Sequence, residues 1–147
     1  MGIYQCYRPF TGYSATADQG DMGNLATAGA GVEGADQKTS EWLDISNWEG
    51  KSISWEVDSG GTVDLNINMH ISSQGAYELN QKTCTTDDYI NVLVVNAETG
   101  TAMTRIEFDD LDELALYNGP IRSCRIRIDN DQAEAVTGCQ IWIEGWI

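Results

Sequence analysis

Positive charge is scarce in this chain of 147 residues: 8 Lys and Arg stand against 23 Asp and Glu, for a formal charge of −15. A surface of that sign repels phosphate backbones and anionic headgroups, so neither nucleic acid nor membrane is expected as a direct partner. Histidine is scarcer still, with His70 alone. One histidine with no motif around it nominates neither a Ser-His-Asp nor a Cys-His arrangement, and its place on the polar side of an alternating run reads as a solvated or hydrogen-bonded strand residue. No apolar run reaches the length of a membrane span. Met1-Gly2-Ile3-Tyr4-Gln5 lacks a basic region followed by an apolar stretch, so no secretory signal is read and the chain is expected to stay in the cytosol. Cys6, Cys84, Cys124 and Cys139 show no CxxC spacing, which argues against a zinc site or a redox pair and for free thiols. With no nucleophile beside a base and no paired-carboxylate spacing, the expectation is a protein that is not an enzyme, with no catalytic residue, no cofactor and no metal.

What the chain has is alternation. Between Gly61 and Ile71, the residues Val63, Leu65, Ile67, Met69 and Ile71 alternate with Asp64, Asn66, Asn68 and His70, which only a half-buried β-strand sorts onto two faces. Ile53, Trp55 and Val57 alternate in the same way, and Asp58-Ser59-Gly60-Gly61 predicts a tight hairpin turn joining the two runs as antiparallel partners. Tyr89 to Asn96 is apolar at nearly every position, which predicts a central strand covered on both faces. Met103 to Phe108 forms the next strand. Asp109 to Tyr117 reads as a helical turn, capped by Asp109 or Asp110, with Leu111 and Leu114 inward. Two last strands, Ile121 to Asp129 and Cys139 to Trp146, carry Cys124, Ile126 and Ile128, then Cys139, Ile141 and Ile143, on their inner faces. If those two form a hairpin, Cys124 and Cys139 sit too far apart along the ladder for a disulfide, and none is expected between them. Seven or eight short antiparallel strands predict an all-β sandwich, jelly-roll-like, over residues 41–147.

Residues 1–40 differ in kind. Thr11 to Ser40 is rich in Gly, Ala, Thr, Asp and Ser and cannot build a core, so it predicts an extended arm. Ile3, Tyr4, Tyr7, Phe10 and Tyr13 precede or open it as apolar anchors, which either dock on a neighbouring subunit or add a strand to the chain's own sheet.

Three further groups of residues bear on binding. Trp42, Trp48, Trp55, Trp142 and Trp146 could line a sugar platform, although parity puts Trp55 in the core. Trp142 and Trp146 fall on the outward face of the last strand, which makes them interface candidates unless the arm covers them. Arg125 and Arg127 share an outward face and predict pairing with acidic loops of the same chain or of a neighbour. Acidic clusters at Asp87-Asp88, Asp109-Asp110-Leu111-Asp112-Glu113 and Asp129-Asn130-Asp131 do not match the calcium loop of an EF-hand; Asp129 and Asp131 come nearest to an oxygen-rich site, and solvated loops account better for all three.

Several of these segments share a pattern. Ser40-Glu41-Trp42-Leu43-Asp44-Ile45-Ser46 with Lys51-Ser52-Ile53-Ser54-Trp55-Glu56-Val57, then Gly61-Thr62-Val63-Asp64-Leu65-Asn66-Ile67, then Asn118-Gly119-Pro120-Ile121-Arg122-Ser123-Cys124-Arg125-Ile126-Arg127-Ile128 with Gly138-Cys139-Gln140-Ile141-Trp142-Ile143-Glu144-Gly145-Trp146, resemble small structural proteins of tailed bacteriophages. The resemblance covers residues 40–147 and transfers no catalytic residue. It implies a virion component assembled in the host cytoplasm, either a capsid decoration (cement) protein or a head or tail fibre module. The implied partners are the major capsid protein or other virion proteins and further copies of the chain as a dimer or trimer. A carbohydrate-binding module for host recognition is the alternative.

Overall fold

The computed structural model describes residues 2–10, 37–58, 65–98, 101–115, 117, 119–130 and 138–147. The described residues are mostly β, with nine strands in two antiparallel sheets, an all-β sandwich-like fold. In chain order these are β1 (Tyr4–Tyr7), β2 (Gln37–Thr39), β3 (Leu43–Asp44), β4 (Glu49–Asp58), β5 (Leu65–Ser72), β6 (Ile90–Glu98), β7 (Thr101–Glu107), β8 (Ser123–Asn130) and β9 (Gly138–Trp146). Sheet I runs β1-β9-β4-β7 and sheet II runs β2-β8-β5-β6, with the short β3 also on β8. Helix α1 (Ala76–Asn80) follows β5, and a 3-10 turn at Phe108–Asp110 leads into helix α2 (Asp112–Ala115).

Alternation builds the core. In sheet I, Ile53, Trp55, Ile141 and Ile143 face inward; in sheet II, Ile67, Met69, Ile71, Val92, Cys124, Ile126 and Ile128 face them, and all are buried in one cluster with Ile45, Trp48, Phe108, Leu111 and Leu114. Burying a side chain of this size contributes about 1.5–3 kcal/mol of transfer free energy, so these residues set the fold. The expected inner faces of the last two strands and of β4 hold at every position whose side chain is described. So does the inward aim of Leu111 and Leu114, although Asp109 and Asp110 lie within the 3-10 turn and do not cap α2.

Two expectations about pairing fail for one reason. Turn residues reveal that the chain reverses, and they do not reveal whether the reversal stays in one sheet. The turn expected at residues 58–61 does not join a hairpin, because β4 lies in sheet I and β5 in sheet II. The same holds for the last two strands: β8 pairs with β5 while β9 pairs with β4 and β1. Cys124 carries a free thiol, and the side chain of Cys139 lies outside the described residues, so the hairpin argument for the absence of a bridge does not apply. Burial pushes the Cys124 thiol up to about 12, which makes it an inert core residue.

β6 is an edge strand and is not central. Its pairing with β5 shifts register, with Ile67 opposite Val95, Asn68 opposite Leu93 and Met69 opposite Val92. A bulge of this kind breaks the parity of the strand. Val92 and Val95 both face the core and Leu93 is turned out, so the unbroken apolar run comes from a bulge, without cover on both faces.

The sheets also reach into residues 1–40. β1 pairs with β9 from Tyr4 opposite Trp146 to Tyr7 opposite Ile143, and β2 pairs with β8. Ser40 extends that second contact: its amide donates to the Ile126 carbonyl at 2.8 Å and its Oγ accepts the Ile126 amide at 2.9 Å. The sandwich therefore begins before residue 41, and residues 11–36, the body of the expected arm, lie outside the described residues.

Gly145 marks the tightest packing between the last strand and the turn before β4. A Cβ there would lie 2.8 Å from Trp48 Cε3 and 3.3 Å from the Glu49 carbonyl oxygen. Replacing Gly145 by Ala is expected to destabilise the fold by about 1–3 kcal/mol through overpacking. Urea unfolding of the two proteins measures this, and an unchanged midpoint would refute the contact.

Candidate functional site

β5 and β8 pair in register from Leu65 opposite Asn130 to Ser72 opposite Ser123, so His70 lies directly across from Arg125 on the outer face of sheet II. The loop between β5 and β6 folds back over that face. Ser72 Oγ donates to the Asp88 carbonyl at 2.6 Å, and Ser123 Oγ donates to the Gln74 carbonyl at 2.7 Å. The Asp88 carboxylate gathers the loop from inside: Lys82 Nζ at 2.6 Å, Gln74 Nε2 at 3.1 Å and the Thr85 amide at 2.8 Å all donate to it. Those donors, Lys82 first, hold the Asp88 carboxyl well below the usual range.

Ala76 and Leu79, one helical turn apart on α1, pack with Trp42 into a second small core, with Cys84 and Tyr89 at its border. The Trp42 amide donates to Asn80 Oδ1 at 2.8 Å and Asn80 Nδ2 donates to the Trp42 carbonyl at 3.1 Å. The lid thus places two aromatic rings over the β5–β8 pair. The guanidinium carbon of Arg125 lies 4.7 Å from the Trp42 ring centre and 5.2 Å from that of Tyr89, within cation–π range of both. His70 stacks on Tyr89 with centroids 3.9 Å apart.

His70 is therefore 2% exposed, covered by the chain's own Tyr89 and Trp42 and not by solvent. Arg125 Nε donates to His70 Nδ1 at 2.9 Å, and the Asn91 side chain hydrogen-bonds the ring in turn. Asn91 Nδ2 donates to Asn68 Oδ1 at 3.3 Å, so one chain of bonds crosses β8, β5 and β6. Nδ1 can accept only from a neutral ring. Burial, then the charges of Arg125 and Arg127, push the His70 pKa down to about 3. A lone pair committed to a guanidinium is a poor general base, so the outer face of sheet II is suited to recognition through Arg125.

The other candidates scatter. Arg127 is spent within the chain: its Nη2 donates to Gln37 Oε1 at 3.0 Å and its Nε lies 3.4 Å from Asp129 Oδ2. Asp129 thus faces an arginine, and Asp131 lies outside the described residues; no cluster of three or more metal-ligating side chains occurs among the described residues. The tryptophans do not form one platform. Trp48 and Trp55 are in the core, Trp42 is under α1, and Trp142 has the Arg8 guanidinium 5.5 Å from its ring centre. Tyr7 and Phe10 pack against the core from the side of sheet I, and Tyr13 lies outside the described residues.

Ile3, Tyr4 and Trp146 come together. The Ile3 amide donates to the Ile147 carbonyl at 2.7 Å and the Ile147 amide to the Ile3 carbonyl at 2.8 Å, which carries the β1–β9 ladder to the end of both segments. Tyr4 meets Trp146 edge-on with centroids 5.4 Å apart, and its hydroxyl donates to Glu144 Oε2. Gly2 and Gly50 floor the Trp146 ring: a Cβ on either would stand 3.2 Å from Trp146 Cβ or 3.4 Å from Cδ1. Gly50 also has φ of +59°, where other residues are strained. Ile3, Tyr4, Trp146 and Ile147 remain 67%, 49%, 47% and 54% exposed.

Reading the residues alone missed Tyr89 and α1, and placed Trp42 only in a sugar platform. Their signal was the Ala76–Leu79 spacing inside an otherwise polar loop, too short to stand out as a helix. Among known proteins, the chain matches no family model, no curated protein and no solved structure. No helix among the described residues is long and apolar enough to cross a membrane.

The neutral state of His70 has a measurable consequence. The unfolded imidazole binds its proton near pH 6.5 and the folded one only near 3, so between those values the unfolded chain holds more protons and stability falls as pH falls. One proton corresponds to about 1.4 kcal/mol per pH unit. His70→Gln removes this component. The stability advantage of the natural protein over the variant is expected to shrink from pH 7 to pH 4.5 in urea unfolding, and a constant difference would contradict a buried neutral His70.

Proposed function

We propose that the protein is a non-enzymatic structural component of a virion, of the capsid decoration or cement kind, which docks on the particle surface and on neighbouring subunits. The observation that carries this reading is the exposed end of the β1–β9 pair. Four large apolar side chains stand exposed there at an open sheet edge, Tyr4 with Trp146 on one face and Ile3 with Ile147 on the other, fixed by paired backbone and by the glycines beside Trp146. Isolated exposed apolar residues are ordinary, but a rigid strand edge that bares apolar side chains on both faces is what a protein partner covers. The pattern shared with phage structural proteins over residues 40–147 points to that partner being the major capsid protein or another virion protein.

The geometry favours this over a carbohydrate module. A sugar ring stacks on an open aromatic face, and Arg8 lies over Trp142 while Tyr4 meets Trp146 at 62° and gives no flat shelf. Mass spectrometry of purified particles tests the reading: the protein is expected at stoichiometric copy number. Trp146→Glu is expected to fold normally and to lose at least tenfold in binding to isolated capsids. Absence of the natural protein from particles would overturn the proposal.

A further inference from the structure

The basic residues of sheet II differ in how they are satisfied. Arg127 has Asp129 at 3.4 Å, whereas Arg125 makes no ion pair among the described residues. Its Nε is spent on His70 and its faces on Trp42 and Tyr89. A guanidinium has five N–H donors, so the four on its terminal nitrogens have no acceptor in the described chain. Arg125 as a whole is half-buried and not sealed from solvent. This is a guanidinium held in a fixed orientation with its carboxylate-binding end unused. Fixing a long side chain beforehand removes much of the entropy cost that makes exposed ion pairs weak.

The opposite surplus lies on the 3-10 turn and α2, beside the edge strands β6 and β7. Asp109, Asp110, Asp112 and Glu113 are all exposed, and none has an ion pair or hydrogen bond among the described residues. None of them pairs with Arg125 of its own chain. The 3-10 turn and α2 insert Phe108, Leu111 and Leu114 into the core and line a hollow with Leu93, Val94, Val95, Asn96 and Ile106 on the side where β6 and β7 end the sheets. Arg125 lies on the outer face of sheet II, two strands in from β6. The chain thus presents a preset arginine and an acidic run that are not paired with each other within it.

We propose that the Arg125 face of one copy receives the Asp109–Glu113 run of a second copy. Leu93, 42% exposed across from Asn68 and lining the hollow beside Asp110, Asp112 and Glu113, supplies an apolar neighbour for the contact. The charge of −15 on each copy opposes association at long range, but at 0.15 M salt the screening length is about 8 Å, and a direct carboxylate–guanidinium contact lies well inside it. This contact is separate from the Ile3–Trp146 patch and does not rest on the virion reading.

Sedimentation velocity on the full chain tests it. The natural protein is expected to self-associate with rising concentration at 0.15 M salt and to dissociate at 1 M. Arg125→Glu and the double substitution Asp110→Asn with Asp112→Asn are each expected to be monomeric. Their equimolar mixture is expected to re-form a dimer, because one variant retains the acidic run and the other retains Arg125. The acidic residues are exposed and unpaired, so the double variant keeps the test valid even where Arg125→Glu loosens the aromatic lid. A natural protein that stays monomeric, or oligomers that survive both sets of substitutions, would overturn the proposal. Loss of capsid binding by Trp146→Glu with association intact would leave it standing.

Discussion

The register of β5 on β8 is the constraint from which both the core and the site follow. Antiparallel pairing places Ile67 opposite Ile128, Met69 opposite Ile126 and Ile71 opposite Cys124, and those six buried residues form one wall of the core. The same parity puts His70 across from Arg125 on the other face. A slip of one residue would turn the aliphatic row to solvent, so the cost of exposing the core also fixes the position of the arginine. The site has this precision because the hydrophobic effect enforces it from behind.

Half of this was legible in the residues. Period-two alternation shows which side chains share a face, and the inner rows of β4, β5, β8 and β9 follow from it. Partners do not follow, because the links from β4 to β5, from β6 to β7 and from β8 to β9 all change sheets, and a Gly-rich turn looks the same in a hairpin as in a crossing. The apolar run of β6 misled for a related reason: parity arguments assume an unbroken pleat, and the shift between Asn68 and Ile67 breaks it. His70 was correctly placed on the polar face of its strand, but that face is roofed by a loop whose helix has only two buried residues, Ala76 and Leu79.

Electrostatics explains why Arg125 and His70 need each other. A partly buried guanidinium without a carboxylate must be compensated, and here two π faces and one imidazole lone pair do so. The imidazole in turn can serve only while neutral, which its burial and the two nearby arginines secure down to acidic pH. A carboxylate in place of His70 would satisfy Arg125 internally and close the ion pair within the chain. The histidine orients the arginine without supplying a countercharge.

That distinction matters for an acidic protein whose proposed work is assembly. Cations are few, and three of the eight Lys and Arg are consumed in local pairs, Lys82 with Asp88, Arg105 with Glu107 and Arg127 with Asp129. Each such pair on the surface adds less than about 1 kcal/mol. An arginine preset by π contacts on one sheet and an apolar edge on the other are, by contrast, two surfaces of different chemistry pointing in different directions. A protein that joins neighbours to one another while holding to a support needs two contacts that do not compete. Here one surface depends on apolar burial, which salt strengthens or leaves unchanged, and the other on charge, which salt weakens.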